Sequence, residues 1–259
     1  MDITLLLLQL PGFGISKVKN FINSNSLFLE DEKYLKHYIR AETGKSMDFY
    51  LDRVKAIKEN CYNLGVTIVK VEESRILYSP LILYLKGDER LLLVEKKLAV
   101  VGTRTPSRRS ALYGKKFVSH AIKYGWTTVS GLARGCDTIC HKESISCGGR
   151  TIAVIPGGYN KNIAPWLVER GLIISEYPPG SIIKKYRCVE RNRIITGLSK
   201  GLYVIETKEG GGSEHSIRFA YRSNLPISYS SGFKSITKYG ANKIENINQF
   251  DQYLKKCIK

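Results

Sequence analysis

The sequence predicts an α/β protein built on a doubly wound, mostly parallel sheet and preceded by a small all-helical region. Three observations predict it. From Leu98 onward, short apolar runs without strict alternation recur between helix-like segments, as in strands covered by helices on both faces. Before about residue 72 the apolar positions instead step by three and four, as on amphipathic helices. A hydrophobic fraction of 43% with 10% aromatics over 259 residues is the composition of a folded core, not of a disordered chain.

The elements follow in order. "ITLLLLQLPGFGISKVKNFINS" (3–24), "DEKYLKHYIRAE" (31–42) and "SMDFYLDRVKAIKENCYNLG" (46–65) read as helices, with Gly65 ending the last. "SRILYSPLILYLKGDERLL" (74–92) reads as a connector, broken by Pro80 and Gly87-Asp88. Strands are expected at 98–102, 126–131, 150–156, 171–177, 201–207 and 226–230, and helices at 108–124, 136–147, 191–199 and 213–223. A short terminal helix is expected in "NKIENINQFDQYLKKCIK" (242–259). The expected division is a helical region over 1–75, the sheet domain over 76–245, and the terminal helix over 246–259 with no further domain.

Lys+Arg at 41 against Asp+Glu at 23 gives +18, an excess that suits a polyanion. No apolar run approaches the roughly 18 residues of a membrane span, so no membrane partner is expected. The apolar stretch Ile3–Leu10 lacks a basic lead and runs into Pro11-Gly12, unlike a secretory signal. Six cysteines without such a signal point to reduced thiols in the cytoplasm. Cys136, Cys140, His141 and Cys147 lie close in sequence but lack paired C-x₂-C spacing, so no metal is expected.

In a doubly wound sheet, ligands sit at the carboxyl ends of the strands. Four strand ends here carry anion-binding residue types: Gly102-Thr103-Arg104, Ser130-Gly131-Leu132-Ala133-Arg134-Gly135, Pro156-Gly157-Gly158 and Glu209-Gly210-Gly211-Gly212-Ser213. Glycine lets backbone N–H groups approach phosphate oxygens, and a helix start behind the loop adds positive potential. Arg104 and Arg134 would add charge-assisted, two-pronged contacts. None of the loops is G-x-G-x-x-G or G-x-x-x-x-G-K-[ST], so no dinucleotide cofactor or P-loop chemistry is expected. Asp137 and His141, four apart on one helix face, read as a cap and a packed neighbour, because no nucleophile accompanies them. A further cue lies at 184–193, where Lys184, Lys185, Arg187, Arg191, Asn192 and Arg193 surround Tyr186: cations for phosphates, an aromatic face for a base.

"VVGTR" (100–104), "VSGLARGCDTICH" (129–141), "GGRTIAVIPGG" (148–158), "GLIISEYPPGS" (171–181), "RNRIITGLS" (191–199) and "GGGSEHSIRFA" (210–220), in this order, resemble the DNA-processing protein A family, also called DprA or Smf. The resemblance spans about residues 76–245. It implies a Rossmann-like domain that binds single-stranded DNA, usually as a homodimer, protects incoming strands in natural transformation and helps load the RecA recombinase. It implies no catalysis and no cofactor. The strand-end loops and the 184–193 cue make the residues expected to meet phosphate or nucleic acid Gly102, Thr103, Arg104, Ser130, Gly131, Arg134, Gly135, Lys185, Arg191, Asn192, Arg193, Gly212 and Ser213. "LQLPGFGISKVKNFI" (8–22) further resembles a helix-hairpin-helix, whose turn brings backbone amides to a phosphate. The chain departs from the family pattern at Arg109-Ser110, where a Tyr-Gly pair is usual, at Cys188 in place of an aromatic, at "IAPWL" (163–167), and at "SYSSG" (228–232) in place of Val-Pro-Gly.

A rival on the same sheet layout is a LOG-type phosphoribohydrolase, which needs a carboxylate shortly after a Gly-rich turn. Here the corresponding places hold His215 and Ser216, with Glu214 one position early.

Overall fold

The computed structural model describes residues 2–71, 79–232 and 234–258. The helical region comprises α1 (Ile3–Leu7), α2 (Ile15–Ser24), α3 (Glu32–Thr43) and α4 (Met47–Leu64). Short polar side chains start three of them. Asp2 accepts from Leu5 N, Asp31 from Tyr34 N and Ser46 from Phe49 N, each satisfying an amide that the first turn leaves free. Gly65 ends α4 in the left-handed conformation (φ 58°), as the sequence predicts.

Among the described residues nine strands form one sheet: β1 (Thr67–Lys70), β2 (Ile82–Gly87), β3 (Lys97–Val101), β4 (Thr127–Ser130), β5 (Thr151–Ile155), β6 (Gly171–Ser175), β7 (Gly201–Glu206), β8 (Ile227–Ser231) and β9 (Asn242–Lys243). Their spatial order is β1-β2-β6-β5-β4-β3-β7-β8-β9. Strands β6 to β9 of that row run parallel, while β2 is antiparallel to both β6 and β1. The remaining helices are α5 (Arg108–Lys123), α6 (Cys136–Ser146), α7 (Pro165–Val168), α8 (Lys185–Glu190), α9 (Asn192–Gly197), α10 (Gly212–Arg222) and α11 (Ile247–Ile258). The six expected strands and the terminal helix are all present; the expected helix over 191–199 is the shorter α9, and an unexpected short helix, α8, precedes it across Arg191.

The connector expectation needs correcting over its described part: 82–87 is a strand inserted antiparallel beside β6, although residues 74–78 lie outside the described residues. β1, from the helical stretch, pairs with it.

Side-chain alternation explains how both faces are covered. Ala99, Val129, Ile152 and Leu202 face α9 and α10, packing with Ile194, Ile195 and Ile217. Leu98, Val100, Tyr203 and Ile205 point the other way, onto Phe117 of α5 and Phe250 of α11. Farther along that second face, Ala153, Ile155 and Ile173 pack with Leu5, Leu6, Leu35 and Tyr84. The helical region therefore shares a core with the sheet and is pinned beside the carboxyl end of β6, where Asn60 donates to the Pro179 carbonyl (3.3 Å).

Candidate nucleic-acid interface

Because β3, β4, β5 and β7 are parallel, their carboxyl ends bring the four glycine-bearing loops to one sheet edge. The chain runs from β3 outward to β6, then returns to β7 on the other side of β3, so the crevice between winding directions falls there.

The first two loops interlock. Thr103 N donates to the Glu206 carbonyl (2.8 Å), and the Thr103 carbonyl accepts from Cys136 N (3.1 Å). Gly135 takes φ +79°, and a Cβ there would lie 2.5 Å from the backbone of Thr103 and Arg104. Only glycine lets the loops close to this distance. Gly102 is equally confined, with Cys136 Sγ 2.4 Å from an added Cβ. Arg104 and Arg134 emerge from the locked pair exposed to solvent, and no ion pair engages either among the described residues.

Beneath the second loop lies a buried charge. Arg191 Nη1 donates to the Val154 carbonyl (2.6 Å), and its Nη2 lies 3.9 Å from Asp137 Oδ2. Asp137 also accepts from Ala133 N (3.3 Å), fixing the turn at the start of α6. The Arg191 guanidinium lies so close under Gly131 that a Cβ there would meet Nη1 at 1.7 Å. Burial raises the Asp137 carboxyl, and the neighbouring Arg191 opposes that rise. Ser130 is buried, its hydroxyl donating to the Val100 carbonyl (2.6 Å). His141 is wholly buried against Thr151 Oγ1 (2.7 Å), and burial with Arg191 nearby lowers its imidazole to about 3. It is neutral packing, not an exchangeable proton carrier at neutral pH. Burial likewise pushes the Cys136 and Cys140 thiols up to about 12. Among the described residues no group of three or more His, Cys, Asp or Glu side chains is arranged to hold a metal ion.

The 184–193 stretch divides by exposure. Lys185 and Tyr186 stand in solvent. Arg187 stacks 3.8 Å over the Tyr177 ring and donates to the Ile182 carbonyl (3.0 Å). Asn192 and Arg193 are buried, and Arg193 pairs with Glu176 at 2.6 Å. The fourth loop is similarly tied inward: Ser213 Oγ shares a hydrogen bond with Thr207 Oγ1 (2.6 Å), while Gly212 is exposed. Glu214 accepts from Gly210 N (2.9 Å), Arg218 (2.7 Å) and Tyr239 (3.3 Å), and the Arg218 bond above all holds its carboxyl below the usual range.

Of the sequence-predicted residues, Gly102, Thr103, Arg104, Gly131, Arg134 and Gly135 come together on one surface, with Arg191 directly below. Lys185 stands on the neighbouring helix, and Arg193 belongs to the Glu176 pair. Sequence reasoning missed the wall opposite: the loop 176–183 folds over Gly157-Gly158, with Gly158 N donating to the Ser181 carbonyl (2.9 Å). Between this loop and Gly131-Leu132 lies a cleft of about 450 Å³ lined by Ile182 and Ile183. The Glu-Tyr-Pro-Pro-Gly run was its signal, since two prolines followed by a glycine mark a shaped loop.

The fold and this loop edge define a Rossmann-like α/β protein. The model of one family, DNA recombination-mediator protein A, matches residues 70–254, and the chain belongs to that family. It is 41% identical over 145 residues to DNA processing protein DprA of Bacillus subtilis, covering 52% of this chain and 48% of that protein. To the Streptococcus pneumoniae DNA processing protein DprA it is 38% identical over 165 residues, covering 61% and 55%. The chain thus spans about half the length of the curated relatives it matches. The S. pneumoniae crystal structure superposes with TM-score 0.75 over 97% of each chain at 24% identity. DNA processing protein A from Helicobacter pylori, described for its single-stranded DNA binding mode, matches with TM-score 0.67 at 26% identity, over 74% of this chain and 97% of that one. No helix among the described residues is long and apolar enough to cross a membrane.

Proposed function

We propose that this chain binds single-stranded DNA without strong sequence preference, through phosphate contacts on the interlocked loops after β3 and β4. The observation that carries the reading is the pair Arg104 and Arg134: two exposed guanidinium groups on glycine-locked loops at the crevice of a +18 protein. Each can grip phosphate oxygens with two hydrogen bonds. The Thr103 hydroxyl supplies a further donor, with Gly102, Ser130, Gly131 and Gly135 shaping the approach. Lys185 extends the cationic surface, and Tyr186 offers a ring on which a base can stack. Arg191, Asn192 and Arg193 act from below by holding the loops, while Gly212 and Ser213 flank the crevice from β7. The H. pylori relative supports the choice of ligand, since its single-stranded DNA binding is its described property.

The reading extends to the family's biology: protection of incoming strands, action as a homodimer, and delivery of DNA to RecA. It includes no catalysis. Glu214, the carboxylate one position short of where a phosphoribohydrolase needs it, is engaged by three donors of its own neighbourhood, Gly210 N, Arg218 and Tyr239. Titration with single-stranded DNA, double-stranded DNA and RNA of equal length tests the proposal. Tightest binding to single-stranded DNA is expected; equal or stronger binding to duplex would contradict it.

A further inference from the structure

A second and larger cleft, of about 1360 Å³, lies between the helical region and the sheet domain. Its helical wall carries Lys19 of α2 and Arg53 of α4, and its opposite wall carries Arg187 and Arg222. Two carboxylates also line it: Glu176 is ion-paired with Arg193, while Glu190, which accepts from the Tyr177 hydroxyl, keeps its charge and offsets one of these four cations. Among the described residues no ion pair neutralises Lys19, Arg53 or Arg222. The cleft therefore presents uncompensated positive charge on facing walls, with low-dielectric protein between, an arrangement that concentrates anions.

The cleft is continuous with the smaller one beside the loop edge, because Gly180 and Ser181 line both. Tyr186, exposed at 52%, lines the larger cleft on the same side as that shared rim. The shared rim is held in place from the helical side by the Asn60–Pro179 hydrogen bond.

We infer that this interdomain cleft is a second nucleic-acid subsite, which takes the continuation of the single strand seated on the loops after β3 and β4. The inference rests on the single-stranded DNA reading above and adds a path: from Arg104 and Arg134, across the 180–186 rim, to Lys19 and Arg53. A strand suits this path better than a duplex, since the rim must be crossed by a flexible backbone with bases free to stack. The helical region then contributes to grip as well as to fold.

The test compares two oligothymidylates, one of about four and one of about twelve nucleotides, both within the range of known single-strand site sizes. Both are titrated by fluorescence anisotropy against the parent chain and the double variant Lys19→Glu/Arg53→Glu. The parent should bind the longer oligomer more tightly and with a steeper salt slope; the variant should lose that gain while keeping the parent's affinity for the short one. Loss of two phosphate contacts should flatten the slope of log affinity against log salt by about 1.4 for the long oligomer. A variant that retains the full length-dependent gain overturns the inference, as does a parent without any gain. If the parent binds neither oligomer, the single-stranded DNA reading itself falls, and this inference with it. Both substituted side chains lie on helix surfaces outside the buried core, and circular dichroism confirms that the variant is folded before it is titrated.

Discussion

Arg104 is the residue on which the proposed contact is most concentrated. It emerges from a backbone held by hydrogen bonds on both sides of Thr103, so its guanidinium needs little ordering to meet a phosphate. Arg104→Ala should weaken single-stranded DNA binding about ten- to a hundredfold, the worth of one charge-assisted contact of about 1.5–3 kcal/mol. Arg104→Lys should recover part of it, because a point charge lacks the fork, and Lys185→Ala should cost less than either. Anisotropy titration of the three folded variants checks the order. Buried His141 makes a different prediction. Its folded imidazole stays neutral down to about 3, whereas the unfolded one charges as pH falls through 6.5. The unfolded state then binds the extra proton, so stability is lost as pH drops below 6.5, by about 2 kcal/mol at pH 5. The raised Asp137 and Glu176 carboxyls act in the opposite sense, so the contribution is isolated by comparison with His141→Gln. Denaturant melts at pH 7 and pH 5 should show a smaller pH-dependent loss in the variant; an unchanged loss would remove His141 from the account.

At the scale of elements, the site depends on two loops closing on each other. Gly135→Ala puts a Cβ against the Thr103 and Arg104 backbone in a conformation only glycine takes easily. It should destabilise the fold by about 1–3 kcal/mol and weaken DNA binding by displacing Arg104, both readable from melts and titrations on one sample. The parallel strands were legible because burial on both faces leaves unbroken apolar runs, as in Thr151–Ile155 and Gly171–Ser175. β2 was not, because its flanking Pro80 and Gly87-Asp88 read as loop punctuation while its partner β6 lies far away in sequence. Basic residues were legible as a cluster but not by face. Arg191 and Lys185 look alike in sequence, yet one is buried against Val154 and the other stands in solvent. Nothing local in "KKYRCVERNR" (184–193) distinguishes them; the turn at Arg191 between α8 and α9 does, by directing Asn192 and Arg193 inward.

Across the whole molecule, the helical region, the sheet and the loop edge form one connected body, with shared core contacts from Leu5 and Leu35 to Ile173. That connection keeps the basic helical wall facing the sheet's carboxyl edge and gives the +18 charge a direction. The central claim, that phosphates are what this edge holds, is tested most directly by the salt dependence of single-stranded DNA affinity. Each phosphate contact on a single strand adds about −0.7 to the slope of log affinity against log salt. Arg104, Arg134 and Lys185 together predict a slope near or steeper than about −2, flattening by about 0.7 in Arg104→Ala. An affinity that barely changes between low and moderate salt, or an Arg104→Ala slope equal to the parent's, would contradict it.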